Sequence, residues 1–207
     1  MKPIFRQNQL FTFLLYCNGQ GLEKNILDCG AGGMLPPLAL FKEHGYETTG
    51  IDISEKAIER ANEFQNEQGI NLNITKGDMK ALSFDDNSFS FCYSYNTIFH
   101  MSKKEIKKSL EEMKRVLVPG GLMFINFVST ADERCGRGEE VGAGEYYEME
   151  HGEKVLHSYF HENEGEEIFE ELGLKRIYKE VRKRIGPKRG GGFVTLGYID
   201  YILEKPL

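Results

Sequence analysis

The run Ile26-Leu27-Asp28-Cys29-Gly30-Ala31-Gly32-Gly33 leads an apolar stretch into a carboxylate and then a glycine turn. A second carboxylate follows in Gly50-Ile51-Asp52-Ile53, and a third in Gly77-Asp78-Met79. Glycines allow a backbone to approach a ligand closely, and one carboxylate can accept from two vicinal hydroxyls through its two oxygens. A strand, a glycine turn and an acid about twenty residues later are how a parallel α/β sheet presents a nucleoside at the carboxyl ends of its first strands. Nicotinamide, flavin and S-adenosylmethionine sites share that geometry. The dinucleotide fingerprint, GxGxxG, requires a glycine where this chain has Leu35. Asp28 would also repel a pyrophosphate, whereas it suits a ligand carrying an ammonium and a sulfonium.

The elements that must hold these groups follow from periodicity and punctuation. Residues 25–29 read as a short apolar strand and 46–53 as a second. Between them, 34–44 reads as a helix with Pro36 and Pro37 in its first turn, stopped by Gly45. Ser54 caps a helix with Ala57, Ile58, Ala61 and Phe64 at helical spacing, closed by Gly69. Strands are expected at 71–75 and 89–95, and a helix capped by Ser102 runs to Leu117. Pro119-Gly120-Gly121 then turns the chain into a fifth strand, 122–128. This alternation predicts an α/β, Rossmann-like, doubly wound sheet with helices on both faces. Before it, 6–18 reads as a helix within an N-terminal cover segment, 1–22. After it, 130–160 reads as a glycine- and acid-rich, lid-like excursion with little periodicity. A helix at 162–172 precedes strand-like segments within 174–204 that flank Gly186-Pro187-Lys188-Arg189-Gly190-Gly191-Gly192, an antiparallel hairpin.

The 207 residues fit one domain with appendages, and a net charge of -6 argues against a nucleic-acid backbone as main partner. Charge is segregated, with acids concentrated between Asp132 and Glu171 and a basic stretch from Lys175 to Arg189. That stretch reads either as a hairpin edge guarded by Lys and Arg or as a docking surface for an acidic substrate or partner. The four cysteines have no metal-ligand spacing, so no metal site is expected, and they suit a reducing cytoplasm. No signal peptide or membrane span is read.

Asp28, Gly30 and Gly32, then Asp52, Asp78 and Val118-Pro119-Gly120-Gly121, resemble in order the motifs of the class I S-adenosylmethionine-dependent methyltransferases. The resemblance runs from about Asn25 to Val128, with Met34 where that family usually has a third glycine. It implies a seven-stranded, mostly parallel sheet of order 3-2-1-4-5-7-6 with the last strand antiparallel. It also implies a donor site built from Asp28, Gly30, Ala31, Gly32, Asp52, Ile53, Asp78, Met79 and Tyr95. In that site Asp52 would hold the ribose hydroxyls, Ile53 would lie on the adenine face, and Asp78 and the Met79 amide would meet the adenine edge. Arg6 and Tyr16 are candidates for the methionine carboxylate.

Neither an Asp/Asn-Pro-Pro-Tyr/Phe motif nor a Pro-Cys nucleophile follows the fourth strand, where the chain reads Ser94-Tyr95-Asn96-Thr97. The expectation is therefore methyl transfer to a small-molecule nucleophile. The alternatives are a donor-binding module without turnover and an RNA or protein methyltransferase using the basic hairpin. His100, just beyond the fourth strand, and His157, at the end of the excursion, are the candidate catalytic residues. Tyr146 and Tyr147 could form an aromatic cage for a cationic amine.

Overall fold

The computed structural model describes residues 8–150, 152–187 and 191–207. Arg6, Lys188 and Arg189 lie outside them. Ten strands and five α-helices alternate as α1 (Asn8–Gly19), β1 (Asn25–Cys29), α2 (Leu38–Glu43), β2 (Glu47–Asp52), α3 (Glu55–Gln68), β3 (Ile74–Lys76), β4 (Phe89–Ser94), α4 (Lys103–Val116), β5 (Leu117–Ser129), β6 (Glu139–Gly142), β7 (Glu145–Glu150), β8 (Glu153–Phe160), α5 (Glu164–Glu171), β9 (Lys175–Pro187) and β10 (Phe193–Glu204).

Strands β3, β2, β1, β4 and β5 are parallel neighbours. Strand β10 joins β5 antiparallel and β9 joins β10 antiparallel. With β9 and β10 taking the sixth and seventh places, this is the 3-2-1-4-5-7-6 arrangement. Alternation along each strand divides the core. Ile26, Phe91, Tyr93 and Phe124 face α1, α2 and α3, while Leu27, Cys92 and Ile125 face Ile106, Leu110 and Met113 of α4 and Phe169 of α5. Strands buried on both faces require such continuous apolar runs.

Three sequence expectations are corrected. The helix expected over 34–44 begins only at Leu38 after Pro37, and Met34 is 77 % exposed in the preceding loop. The absent third glycine therefore disturbs no helix packing. The excursion is not a structureless lid: β6, β7 and β8 form an antiparallel ribbon that raises the strand total to ten. Its β8 continues the sheet where β4 stops. Val128 pairs with Tyr198 on one side and Tyr159 on the other, so β8 lies beside the overhanging end of β5, above β4. Third, no described residue of the N-terminal segment lines the cavity described below, and α1 packs in the core instead. Phe13 packs on Phe41, Tyr93 and Phe124 at centroid distances of 6.1, 6.3 and 5.7 Å, and Tyr16 meets Tyr178 at 5.8 Å. Tyr16 is thus spent on β9.

Candidate active site

The β1 strand ends in a turn held by its neighbour. The Gly30 and Ala31 amides both donate to the Ile51 carbonyl at 2.9 Å, and the Gly33 amide donates to Ala57 O at 2.8 Å. Gly32 N–H donates to Asp52 Oδ2 and Ser54 N–H to Asp52 Oδ1, each at 2.9 Å. Each Asp52 oxygen therefore keeps acceptor capacity for a further donor. The glycines are needed for clearance. A Cβ on Gly32 would sit 2.6 Å from Asp52 Oδ2, and one on Gly30, where φ is +117°, would sit 2.4 Å from Thr97 Oγ1. Across the site, the Gly77 amide donates to Asp52 O at 3.0 Å. Asp78 Oδ1 accepts from the Lys80 amide at 2.9 Å.

These turns floor a cavity of about 450 Å³. Of the residues singled out in the sequence, Gly30, Asp52, Ile53, Gly77, Asp78, Met79, His100 and Tyr147 line it. Ile53 is 66 % exposed there, an apolar side chain left open beside two carboxylates. Asp28, Ala31 and Gly32 lie behind the lining. Asp28 is buried, and its Oδ2 forms no hydrogen bond. Desolvation pushes its carboxyl up to about 8, opposed by the Tyr93 hydroxyl and reinforced by the charge of Asp52. Tyr95 faces α1, where its hydroxyl meets the Gln9 side-chain amide at 3.3 Å, away from the lining.

Apart from Tyr147, the opposite wall is one that motif reading missed. Thr97 and Met101 come from the β4–α4 connection, and Tyr147, Val155 and Leu156 from the ribbon. The ribbon is fastened to that connection: Ser158 Oγ donates to Met101 O at 2.6 Å, and the Lys103 amide donates to Glu145. Lys80 and Glu105 also line the cavity and pair at 2.8 Å. The Lys80 ammonium and the Ser102 cap hold the Glu105 carboxyl down to about 2. Ser102-Lys103-Lys104-Glu105 is a capping box, which is legible in sequence.

His157 is buried directly behind His100. Tyr146 does not form a cage with Tyr147. Its hydroxyl donates to Glu140, and its ring packs on Tyr159 at 6.0 Å. The face of Tyr147 is covered by the Lys154 ammonium at 4.5 Å. Within the basic stretch Lys175 pairs with Glu204, Arg176 and Lys179 with Glu166, and Arg182 with Asp200.

The cradle suits an adenosyl group carrying an amino-acid end. Asp52 keeps acceptor capacity at a glycine-cleared turn, an apolar face stands beside Asp78, and Asp28 is a buried carboxyl behind the turn.

Comparison with known proteins agrees. Residues 27–125 match the family model described as a methyltransferase domain. Over 106 residues the chain is 34 % identical to 2-methyl-6-phytyl-1,4-hydroquinone methyltransferase of Synechocystis sp., a match covering 51 % of this chain and 32 % of that one. The chain thus spans about a third of that curated relative's length. Among solved structures, a SAM-dependent methyltransferase of Methanosarcina mazei superposes with a TM-score of 0.77 at 24 % identity, covering 93 % of this chain and 97 % of that one. The 1,6-didemethyltoxoflavin-N1-methyltransferase of Burkholderia thailandensis, solved with its substrate and S-adenosylhomocysteine, gives 0.63 at 17 % identity, covering 94 % and 76 %.

Proposed function

We propose that this protein, whose residues 27–125 match the methyltransferase-domain model and whose sheet has the fold of a solved SAM-dependent methyltransferase, transfers a methyl group from S-adenosylmethionine to a nucleophile on a small molecule. The observation that carries this reading is Asp52. Its carboxylate, girdled by the Gly32 and Ser54 amides, stands at the cavity floor opposite Asp78. When bound, the donor supplies a methyl group already activated by its sulfonium, so the protein's work is alignment and exclusion of water.

In this reading Asp52 accepts from the two ribose hydroxyls, and Ile53 and Met79 flank the adenine. Asp78 accepts from the adenine amino group and Asp28 faces the donor's ammonium. Ala31 and Gly32 shape the turn around them, whereas Tyr95, packed toward α1 outside the lining, has no place in the donor contacts. His100, lining the cavity, takes the proton from a protonated acceptor, and His157 backs it. The apolar wall of Tyr147, Val155 and Leu156 covers the acceptor and lowers the local dielectric.

Cys17, Cys29 and Cys92 are buried free thiols, which fits a reducing cytoplasm. Among the described residues no helix is long and apolar enough to cross a membrane.

The test is calorimetric titration with S-adenosylhomocysteine and with NAD. Binding of the first alone is expected. A correctly folded chain that binds neither, or prefers NAD, contradicts the donor assignment.

A further inference from the structure

One polar residue interrupts the run Leu122-Met123-Phe124-Ile125-Asn126-Phe127-Val128 in β5. Asn126 is fully buried, a costly place for an amide unless its hydrogen bonds are made. They are made to a single residue. The Asn96 backbone N–H donates to Asn126 Oδ1 at 2.8 Å, and Asn126 Nδ2 donates to Asn96 Oδ1 at 2.8 Å. Asn96 is exposed and left-handed, with φ at 56°, a conformation asparagine tolerates better than most residues.

What Asn96 fixes is the segment that follows. Thr97 Oγ1 donates to Tyr95 O at 3.2 Å, and the Thr97 side chain fills the space where a Gly30 Cβ would stand. The His100 amide donates to Thr97 O at 3.0 Å. Gly30, Thr97 and His100 all line the cavity, whereas Asn126 does not. One side chain on β5 therefore sets the segment 96–100 against the glycine turn.

We propose that Asn126 is a positioning residue of the donor site, clamping Asn96 in its left-handed conformation so that Thr97 closes on Gly30 and His100 faces the cavity. This rests on the donor reading above and adds to it a residue that no motif marks. An apolar side chain at 126 would pack in the strand but leave the Asn96 amide without its acceptor, and the loop would relax to recover one.

The experiment titrates S-adenosylhomocysteine calorimetrically into the wild-type chain, Asn126→Leu, Asn96→Ala, their double variant and Asn96→Asp, with a thermal melt of each. Asn96 is exposed, so its variants keep the core even if Asn126→Leu perturbs it. The dissociation constant should rise about tenfold in each of the first two variants. The double variant should be no worse than the poorer single one, because the pair acts as a unit. Asn96→Asp retains an acceptor for Asn126 Nδ2 and should bind like wild type. Melting shifts with unchanged dissociation constants would reduce Asn126 to a stabiliser of β5 and overturn the proposal, as would a loss in Asn96→Asp equal to that in Asn96→Ala. Failure of the folded wild type to bind would instead remove the donor reading itself.

Discussion

The imidazole rings of His100 and His157 meet edge to face, with centroids 4.7 Å apart and planes at 78°. They come from two elements that build one wall of the cavity, the β4–α4 connection and the ribbon behind it, and a gap of more than fifty positions separates them in sequence. His157 is also stacked on Tyr159, at 6.4 Å and 26°. Its ring thus packs between Tyr159 and His100, and His100 packs in turn on Phe99 at 4.7 Å.

The two histidines should separate kinetically. His100→Gln is expected to lower the rate of methyl transfer to a protonated acceptor roughly 100-fold or more while leaving S-adenosylhomocysteine affinity unchanged. His157→Phe preserves a flat ring against Tyr159 and should give a smaller loss. Equal turnover in wild type and His100→Gln would remove His100 from the chemistry.

Asp28 predicts a pH dependence with a definite sign. Its folded carboxyl titrates near 8, above the ordinary aspartate value of 3.8. The folded state therefore retains a proton that the unfolded chain has lost. Stability from this group is full below about pH 4 and falls as pH rises toward 8. A ligand ammonium beside Asp28 favours the ionised form, so donor binding should release a proton below pH 8 and tighten between pH 6 and 8. Calorimetry in buffers of different ionisation enthalpy reads this directly. Asp28→Asn should abolish the proton release.

The three glycines of the turn should behave differently. Gly30→Ala meets Thr97 and Gly32→Ala meets Asp52 and Ala57, so both should impair S-adenosylhomocysteine binding in a folded protein. Gly33 has φ at +110° but open space around it. Gly33→Ala should therefore cost about 1 kcal/mol of stability and leave affinity near wild type. Thermal melts alongside titrations distinguish the two effects.

The β-hairpin depends on a buried charge. Arg182 donates through Nε and Nη2 to Asp200, which is fully buried, and its guanidinium lies over Tyr198 at 5.1 Å. Arg182→Gln leaves that carboxylate without its cation and should destabilise the chain by about 3–5 kcal/mol in chemical denaturation. Replacing both partners with apolar residues should recover much of the loss.

Much of this architecture could be read before the structure, for local reasons. Asn25 to Cys29 forms the expected strand at its expected limits, and Ser54 and Gly69 cap α3 as their types require. Asp52 and Asp78 are legible as cavity-lining carboxylates because their neighbours in sequence are also their neighbours in space. The ribbon escaped because its pairing is long-range: Tyr146 opposes His157 and Glu145 opposes Ser158, across residues too acidic and glycine-rich to show alternation. Helix α2 was overextended because prolines acceptable in a first turn were credited to a helix that starts after them. Asn126 did leave a signal, a lone amide in an apolar strand, but nothing local named Asn96 as its partner.

The most direct measurement is a crystal structure of the complex with S-adenosylhomocysteine. The account predicts both ribose hydroxyls within about 3 Å of the Asp52 carboxylate, with adenine between Ile53 and Met79 and the thioether sulfur facing the His100 side of the cavity. A ribose held away from Asp52, or an adenosyl group bound outside this cavity, would contradict it.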